Sequence, residues 1–161
     1  MTIRKTELSD LSRIFEIYSR ARDFMRLSGN PTQWGDSRPG ESLIIADIEQ
    51  GNSYIVEHDG RTVGVFALII GEEPTYLKIE GRWLNAEPYG TIHRIASDGT
   101  AHGVLSACLE YCFAIIPNIR IDTHENNAVM RHLLKKHGFS ECGIIHVDDG
   151  TPRIAFQKRY G

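Results

Sequence analysis

Two hydrophobic periods alternate along this chain. Leu11, Ile14, Phe15, Tyr18, Ala21 and Met25 recur at intervals of three and four, so the pattern predicts a helix from Ser9 to about Leu27, with Ser9 or Asp10 as its cap. The stretch SGNPTQWGDSRPG that follows is rich in turn formers and reads as a loop carrying Trp34. Glu41 to Gln50 is a second, shorter helix, closed by Gly51. From Ser53 the period falls to two. Tyr54 to Glu57 and Thr62 to Ile70 flank an Asp-Gly turn and form a hairpin. A second hairpin is expected from Thr75 to Glu80 and Arg82 to Leu84, hinged at Gly81, and Tyr89 to Ser97 is a further strand.

The last third alternates again: helix Gly103 to Ile116 before Pro117, strand Ile119 to Thr123, and helix Asn126 to His137 ending at Gly138. Strand Phe139 to Val147, the turn DDGT and strand Arg153 to Gln157 complete it. The order is β-α-α-β-β, an extra hairpin, then β-α-β-α-β-β. Strands joined through helices favour a mixed sheet with helices on its faces, an α/β (α+β) class. No repeat, low-complexity stretch or linker interrupts the 161 residues, which are expected to form one domain, 1–161.

Composition narrows the class of function. With 41% hydrophobic and 24% charged residues the chain has the make-up of a folded globular protein. Eighteen Lys and Arg against 21 Asp and Glu leave a net charge of −3, which argues against nucleic acid or an acidic membrane as main partner. The opening MTIRKTELSDL lacks the apolar core of a signal sequence, and runs such as VGVFALII are too short to span a bilayer. Cys108, Cys112 and Cys142 lack metal-type spacing, so a cytoplasmic location and no metal are expected.

The motif DGTAHG joins the Tyr89–Ser97 strand to a helix. Gly99, Ala101 and Gly103 alternate with Thr100 and His102, and a helix start offers unpaired N–H groups to an anion. Further on, DTHENNAVMRHLLKKHGF places Asn127 near a helix start and Gly138-Phe139 at its end.

These two segments and the element order resemble the GCN5-related N-acetyltransferases, the GNAT family, which move an acetyl group from acetyl-coenzyme A to an amine. The resemblance implies a mixed, mostly antiparallel central sheet flanked by helices. It also implies acetyl-CoA as co-substrate, held by Ile95, Ala96, Ser97, Gly99, Ala101, His102, Gly103, Val104 and Asn127, with the Ile95 amide near the thioester carbonyl. The chain departs from the family pattern at Thr100, where Gln or Arg is usual, at Leu105, a small-residue place, and at Leu134, where many members carry an acidic tyrosine.

Acetyl transfer requires a deprotonated amine. Three residues are candidates for that work. Glu80 beside Gly81 either attracts and deprotonates a cationic amine or is a solvated turn residue. His93 is either a base on the coenzyme-facing strand or a structural hydrogen-bonding histidine, and His124 lies just past the next strand's end. Trp34, Trp83, Tyr89 and Phe24 either line an acceptor pocket or pack the core, and Glu72, Glu73 and Glu80 would suit a cation. The expected function is acetyl-CoA-dependent N-acetylation of a small-molecule or N-terminal amine. The competing reading is a non-catalytic acyl-CoA-binding or ligand-sensing domain of the same fold. A homodimer is left open.

Overall fold

The computed structural model describes residues 1–161 and gathers eight strands into one sheet. The strands are β1 (Thr2–Lys5), β2 (Ser53–His58), β3 (Arg61–Ile70), β4 (Glu80–Gly81), β5 (Gly90–Ser97), β6 (Asn118–Thr123), β7 (Ser140–His146) and β8 (Pro152–Arg159). The helices are α1 (Leu11–Leu27), α2 (Glu41–Glu49), α3 (Val104–Ile115) and α4 (Ala128–Lys136). Strand order is β1-β2-β3-β5-β6-β8-β7-β4, and every neighbouring pair is antiparallel except β5–β6. The parallel pair is the one joined through α3, as a strand-helix-strand crossover requires.

Alternation along the strands divides the core. Tyr54, Val56, Phe66, Leu68 and Phe156 point to the face covered by α3 and α4, where they meet Leu105, Cys108, Leu109, Cys112 and Leu134. Ile55, Val65 and Ala96 point the other way, against Ile14, Ile17, Tyr18, Ala21 and Ile44 of α1 and α2. The same second face is covered over β7 and β8 by the segment between β3 and β5, through Tyr76, Tyr89, Ile145 and Ala155. Two separate covers therefore share one face, and a gap lies between them.

The helices and the first hairpin follow the sequence pattern closely. The expected second hairpin does not form. Pro74–Tyr76 is a single 3-10 turn, and the two-residue β4 pairs with β7, Gly81 opposite Gly143. A Cβ on Gly81 would stand 2.2 Å from the Cys142 carbonyl oxygen, and one on Gly143 would stand 2.1 Å from that of Glu80. Gly81 thus serves a close approach of two backbones, not a hairpin hinge. The aromatic residues that suggested a strand here are anchors: Tyr76 is buried, and Trp83 donates its indole N–H to the Tyr76 carbonyl.

Candidate active site

The gap between the two covers is a cavity of about 390 Å³. It opens where the sheet comes apart. The parallel pairing of β5 and β6 stops at Thr91–Arg120, although β5 runs on to Ser97 and β6 to Thr123. Past that point the facing edges carry backbone N–H and C=O groups without a strand partner, and such groups seek hydrogen bonds elsewhere. Ile92 to Ile95 line one wall of the cavity, and Ile121 to Thr123 line the other.

A bulge in β5 sharpens the divergence. Val65 pairs with Ala96 and Ala67 with His93, so three β5 steps oppose two on β3. Arg94 takes up the extra residue with φ +53, a left-handed conformation that costs an ordinary side chain about 1–2 kcal/mol. Two contacts offset that cost. The buried Tyr18 hydroxyl donates to the Arg94 carbonyl at 2.7 Å, and the Arg94 guanidinium grips Asp47 of α2 through two bonds of 2.8 and 2.7 Å. Burial pushes the Tyr18 phenol well above its ordinary pKa, so it remains a donor. Neither Tyr18 nor Asp47 belongs to a motif that sequence alone would mark.

His93 precedes the bulge and lines the cavity. Its Nε2 lies 3.3 Å from Glu73 Oε1, and both side chains are largely buried. The contact with His93 holds the Glu73 carboxyl below its usual range, against the opposing effect of burial. Glu73 is itself fixed, its backbone N–H donating to the Tyr89 hydroxyl at 2.8 Å. Across the splay, the half-buried Asp122 accepts a 2.6 Å hydrogen bond from Tyr76, and desolvation raises its carboxyl above the ordinary range. His93, with Glu73 behind it, and the Asp122 carboxyl therefore face one cavity.

The other two candidate acid-base residues lie elsewhere. Glu80 is exposed on β4 at the sheet's edge and does not line the cavity; it lends its backbone to the β4–β7 pairing. His124 accepts the Asn126 backbone N–H at its Nδ1, 3.0 Å away, so the lone pair a base would need is committed to the loop. Its Nε2 reaches Thr32 Oγ1 at 3.4 Å, and burial lowers its pKa. The sequence placed both residues near strand ends but gave no sign of these partners.

The glycine turn lies beyond β5. Gly99 and Gly103 have φ +80 and +85, and a Cβ on either would meet no atom within 4 Å. Gly103 caps α3 without any side-chain hydrogen bond to the helix start, so those N–H groups are open to an anion. The turn holds itself together through Asp98, which accepts from the Thr100 N–H and hydroxyl and is clasped by Arg13 at 2.5 Å. His102 is exposed, Ala101 packs at the edge of the core under α3, the Val104 side chain is buried in that core, and Ala96 is buried in the core of the opposite face. Ala96 and Val104 can therefore offer a ligand only their backbone. Leu105 also sits in the core, where its bulk is accommodated beneath the helix start.

Asn127 lines the cavity as the cap of α4. Its Oδ1 accepts the Met130 N–H at 3.1 Å, and its Nδ2 donates to Gln33 Oε1 at 3.2 Å. Gln33, which the sequence did not single out, also accepts from Asn30 at 2.9 Å and ties the α1–α2 loop to the end of β6. Of the aromatic candidates only Trp34 lines the cavity. Trp83 and Tyr89 instead flank Arg120 at 4.2 and 3.9 Å, and Phe24 is exposed on α1. Leu134, in the place of the family's acidic tyrosine, is wholly buried.

Open helix N–H groups beyond a glycine turn, and a splayed strand pair leading from them to a cavity, fit a long ligand with phosphate at one end and amides along its arm. Acetyl-coenzyme A has that form. Comparison with known proteins agrees. The acetyltransferase (GNAT) domain family matches residues 1–140. A GNAT family acetyltransferase from Streptococcus agalactiae is 33% identical, with 99% of this chain and 95% of that one covered and a TM-score of 0.90. Two more distant structures share the fold. A GNAT family acetyltransferase from Listeria monocytogenes is 21% identical, covers 98% and 94% of the two chains, and has a TM-score of 0.69. The ribosomal-protein-alanine N-acetyltransferase from Brucella melitensis is 17% identical, covers 99% of both chains, and has a TM-score of 0.63. No curated protein sequence matches the chain. On the match over residues 1–140 and the likeness to the streptococcal enzyme, this chain belongs to the GNAT acetyltransferase family.

Proposed function

We propose that the protein is an acetyl-CoA-dependent N-acetyltransferase, transferring the acetyl group directly to the amine of a small molecule or a chain terminus. The observation that carries this reading is His93 on the wall of the cavity at the β5–β6 splay, paired with Glu73 behind it. The co-substrate supplies a thioester carbonyl. Gly99, Gly103 and the start of α3 would bind its phosphates, and the free edges of β5 and β6, with Asn127, would bind its arm. The Ile95 amide, just past the bulge, is the candidate donor to the carbonyl oxygen.

His93 takes the proton that the attacking amine must lose, and Glu73 holds the ring and stabilises the imidazolium that forms. Asp122, held by the Tyr76 hydroxyl, lines the cavity across from His93 and is placed to contact the acceptor amine. With Leu134 buried, α4 supplies no acid, and a thiolate leaves with little help. A sensor of the same fold would not need the histidine-carboxylate pair, which favours the enzyme. Residues 1–161 act as one domain in this reading, since both chain ends feed the same sheet. No helix is long and apolar enough to cross a membrane, and the three free cysteines accord with the cytoplasmic location expected from sequence.

The test is thiol release from acetyl-CoA in the presence of a panel of amines, for the wild type and for His93→Gln. Amine-dependent release that falls by about 10²–10⁴-fold in the variant is expected for a lost general base. Equal rates in the two proteins would remove His93 from the chemistry.

A further inference from the structure

Two buried arginines, Arg120 and Arg153, and the half-buried Arg94 lie near the floor of this face, and they differ in what neutralises them. Arg94 has Asp47, through two hydrogen bonds. Arg120 lies between the rings of Trp83 and Tyr89. Arg153, on β8, is only 7% exposed and has neither kind of partner. Its Nη1 donates to Thr151 Oγ1 at 3.0 Å and to the Pro152 carbonyl at 2.9 Å, and its Nη2 reaches the Gln33 carbonyl at 3.5 Å. All three acceptors are neutral, Nε has none, and no carboxylate comes within salt-bridge distance. Asp122 and Asp149 act on it only from farther away.

A guanidinium remains charged in a protein, and leaving it buried beside neutral acceptors is costly. Such a group at a cavity wall is matched to an anion that arrives with a ligand. Its planar fork suits a carboxylate, which it can bind through two parallel hydrogen bonds. Arg153 lines the same cavity as His93 and Asp122, and Glu73 stands behind His93. One part of the cavity is thus set for an amine and another for an anion. Its volume of about 390 Å³ is in the range of small-molecule sites.

Resting on the acetyltransferase reading above, we propose that the acceptor is an amine that carries a carboxylate, with Arg153 binding the carboxylate and the amine lying at His93 and Asp122. A free amino acid and an acidic peptide terminus both supply this chemistry. Arg153 acts here as a specificity residue, anchoring the end of the acceptor that does not react.

The experiment compares thiol release from acetyl-CoA for matched acceptors: free amino acids, their carboxamides and their decarboxylated amines. Dipeptides with Asp or Asn in second place form a separate arm that distinguishes a peptide source from a free amino acid. In one arm or the other, the carboxylated member is expected to have kcat/KM at least about tenfold above its neutral counterpart, as for a charge-assisted hydrogen bond. In Arg153→Gln that preference should disappear, and the loss should fall on KM for the acid more than on kcat. Arg153→Lys should restore part of it. Should Arg153→Gln fail to fold, the comparison within the wild type decides alone. Neutral acceptors used as well as their acids would overturn this proposal while leaving the acetyltransferase reading intact. Absence of thiol release with every acceptor would overturn both.

Discussion

At the scale of single residues, His93 and Glu73 carry the chemistry in the proposed mechanism, and the pair also has a pH signature. Glu73 has its carboxyl pKa lowered in the fold, chiefly by the contact with His93. A group whose folded pKa is depressed adds stability that is fully present above its unfolded value, about 4.3 for glutamate, and is lost as pH falls through the lower folded value. Glu73→Gln should therefore be less stable than the wild type at neutral pH, and the gap should close as the solution is acidified below about pH 4. Melting curves across pH check this, and a gap that widens on acidification would contradict the pairing. Activity should separate the two residues further. His93→Gln removes the proton acceptor, whereas Glu73→Gln leaves the imidazole in place but loosely held, so its loss of kcat should be smaller. His93 was legible in the sequence as a polar residue on an apolar strand. Its partner was visible only as one of several acidic residues near a turn, because 20 positions separate the two and only the fold brings them within 3.3 Å.

Among elements, β5 has the most demanding geometry. Its bulge sets Arg94 at φ +53 and depends on α1 and α2 for support. Removing Asp47 leaves a half-buried guanidinium unpaired, so Asp47→Ala should cost about 3 kcal/mol, the low end for a buried pair, read from denaturant unfolding. Tyr18→Phe, which leaves only one carbonyl unmatched, should cost about 1–3 kcal/mol. Equal, small effects would mean that the bulge holds without these helices. The glycine turn should answer differently. Gly103→Glu puts both bulk and a like charge where the phosphates would lie, and should abolish acetyl-CoA binding while the chain still folds. Unchanged affinity in that variant would sink the phosphate-site assignment. At α4, Asn127→Ala should cost about 1 kcal/mol as a lost cap, because Oδ1 is committed to the Met130 N–H. The sequence made these helix ends legible, since Gly103, Asn127 and Gly138 are punctuation with a local cause. It could not show the bulge, whose register depends on β3, or the single turn at Pro74–Tyr76, whose apolar residues mimic a strand while anchoring a loop.

Over the whole molecule, periodicity was enough to predict a mixed sheet with helices on both faces, because each amphipathic element reports which side it must bury. Strand order was not legible. β8 inserts between β6 and β7, and the short β4 closes the far edge against β7. The site arises from that arrangement as much as from any motif. The splay of β5 and β6 opens the sheet, and two unconnected covers on one face leave the cavity that receives His93, Asp122 and Arg153. Asp122 and Arg153 could have been noticed as charges on strands whose alternate residues are apolar, but alternation alone does not say that both face the same space. In the proposed function all these parts serve one site for acetyl-CoA, so its binding tests that reading most directly. The decisive measurement is the melting temperature of the wild type titrated with acetyl-CoA, beside free CoA and ATP. A ligand that binds the folded state stabilises it by about 2.7 kcal/mol at a hundred times its Kd, a rise of roughly 5–10 °C for a chain of this size. Stabilisation of that order by acetyl-CoA and CoA, and not by ATP, is the expected result. No shift up to millimolar acetyl-CoA would contradict the assignment and mean that the fold has lost its co-substrate.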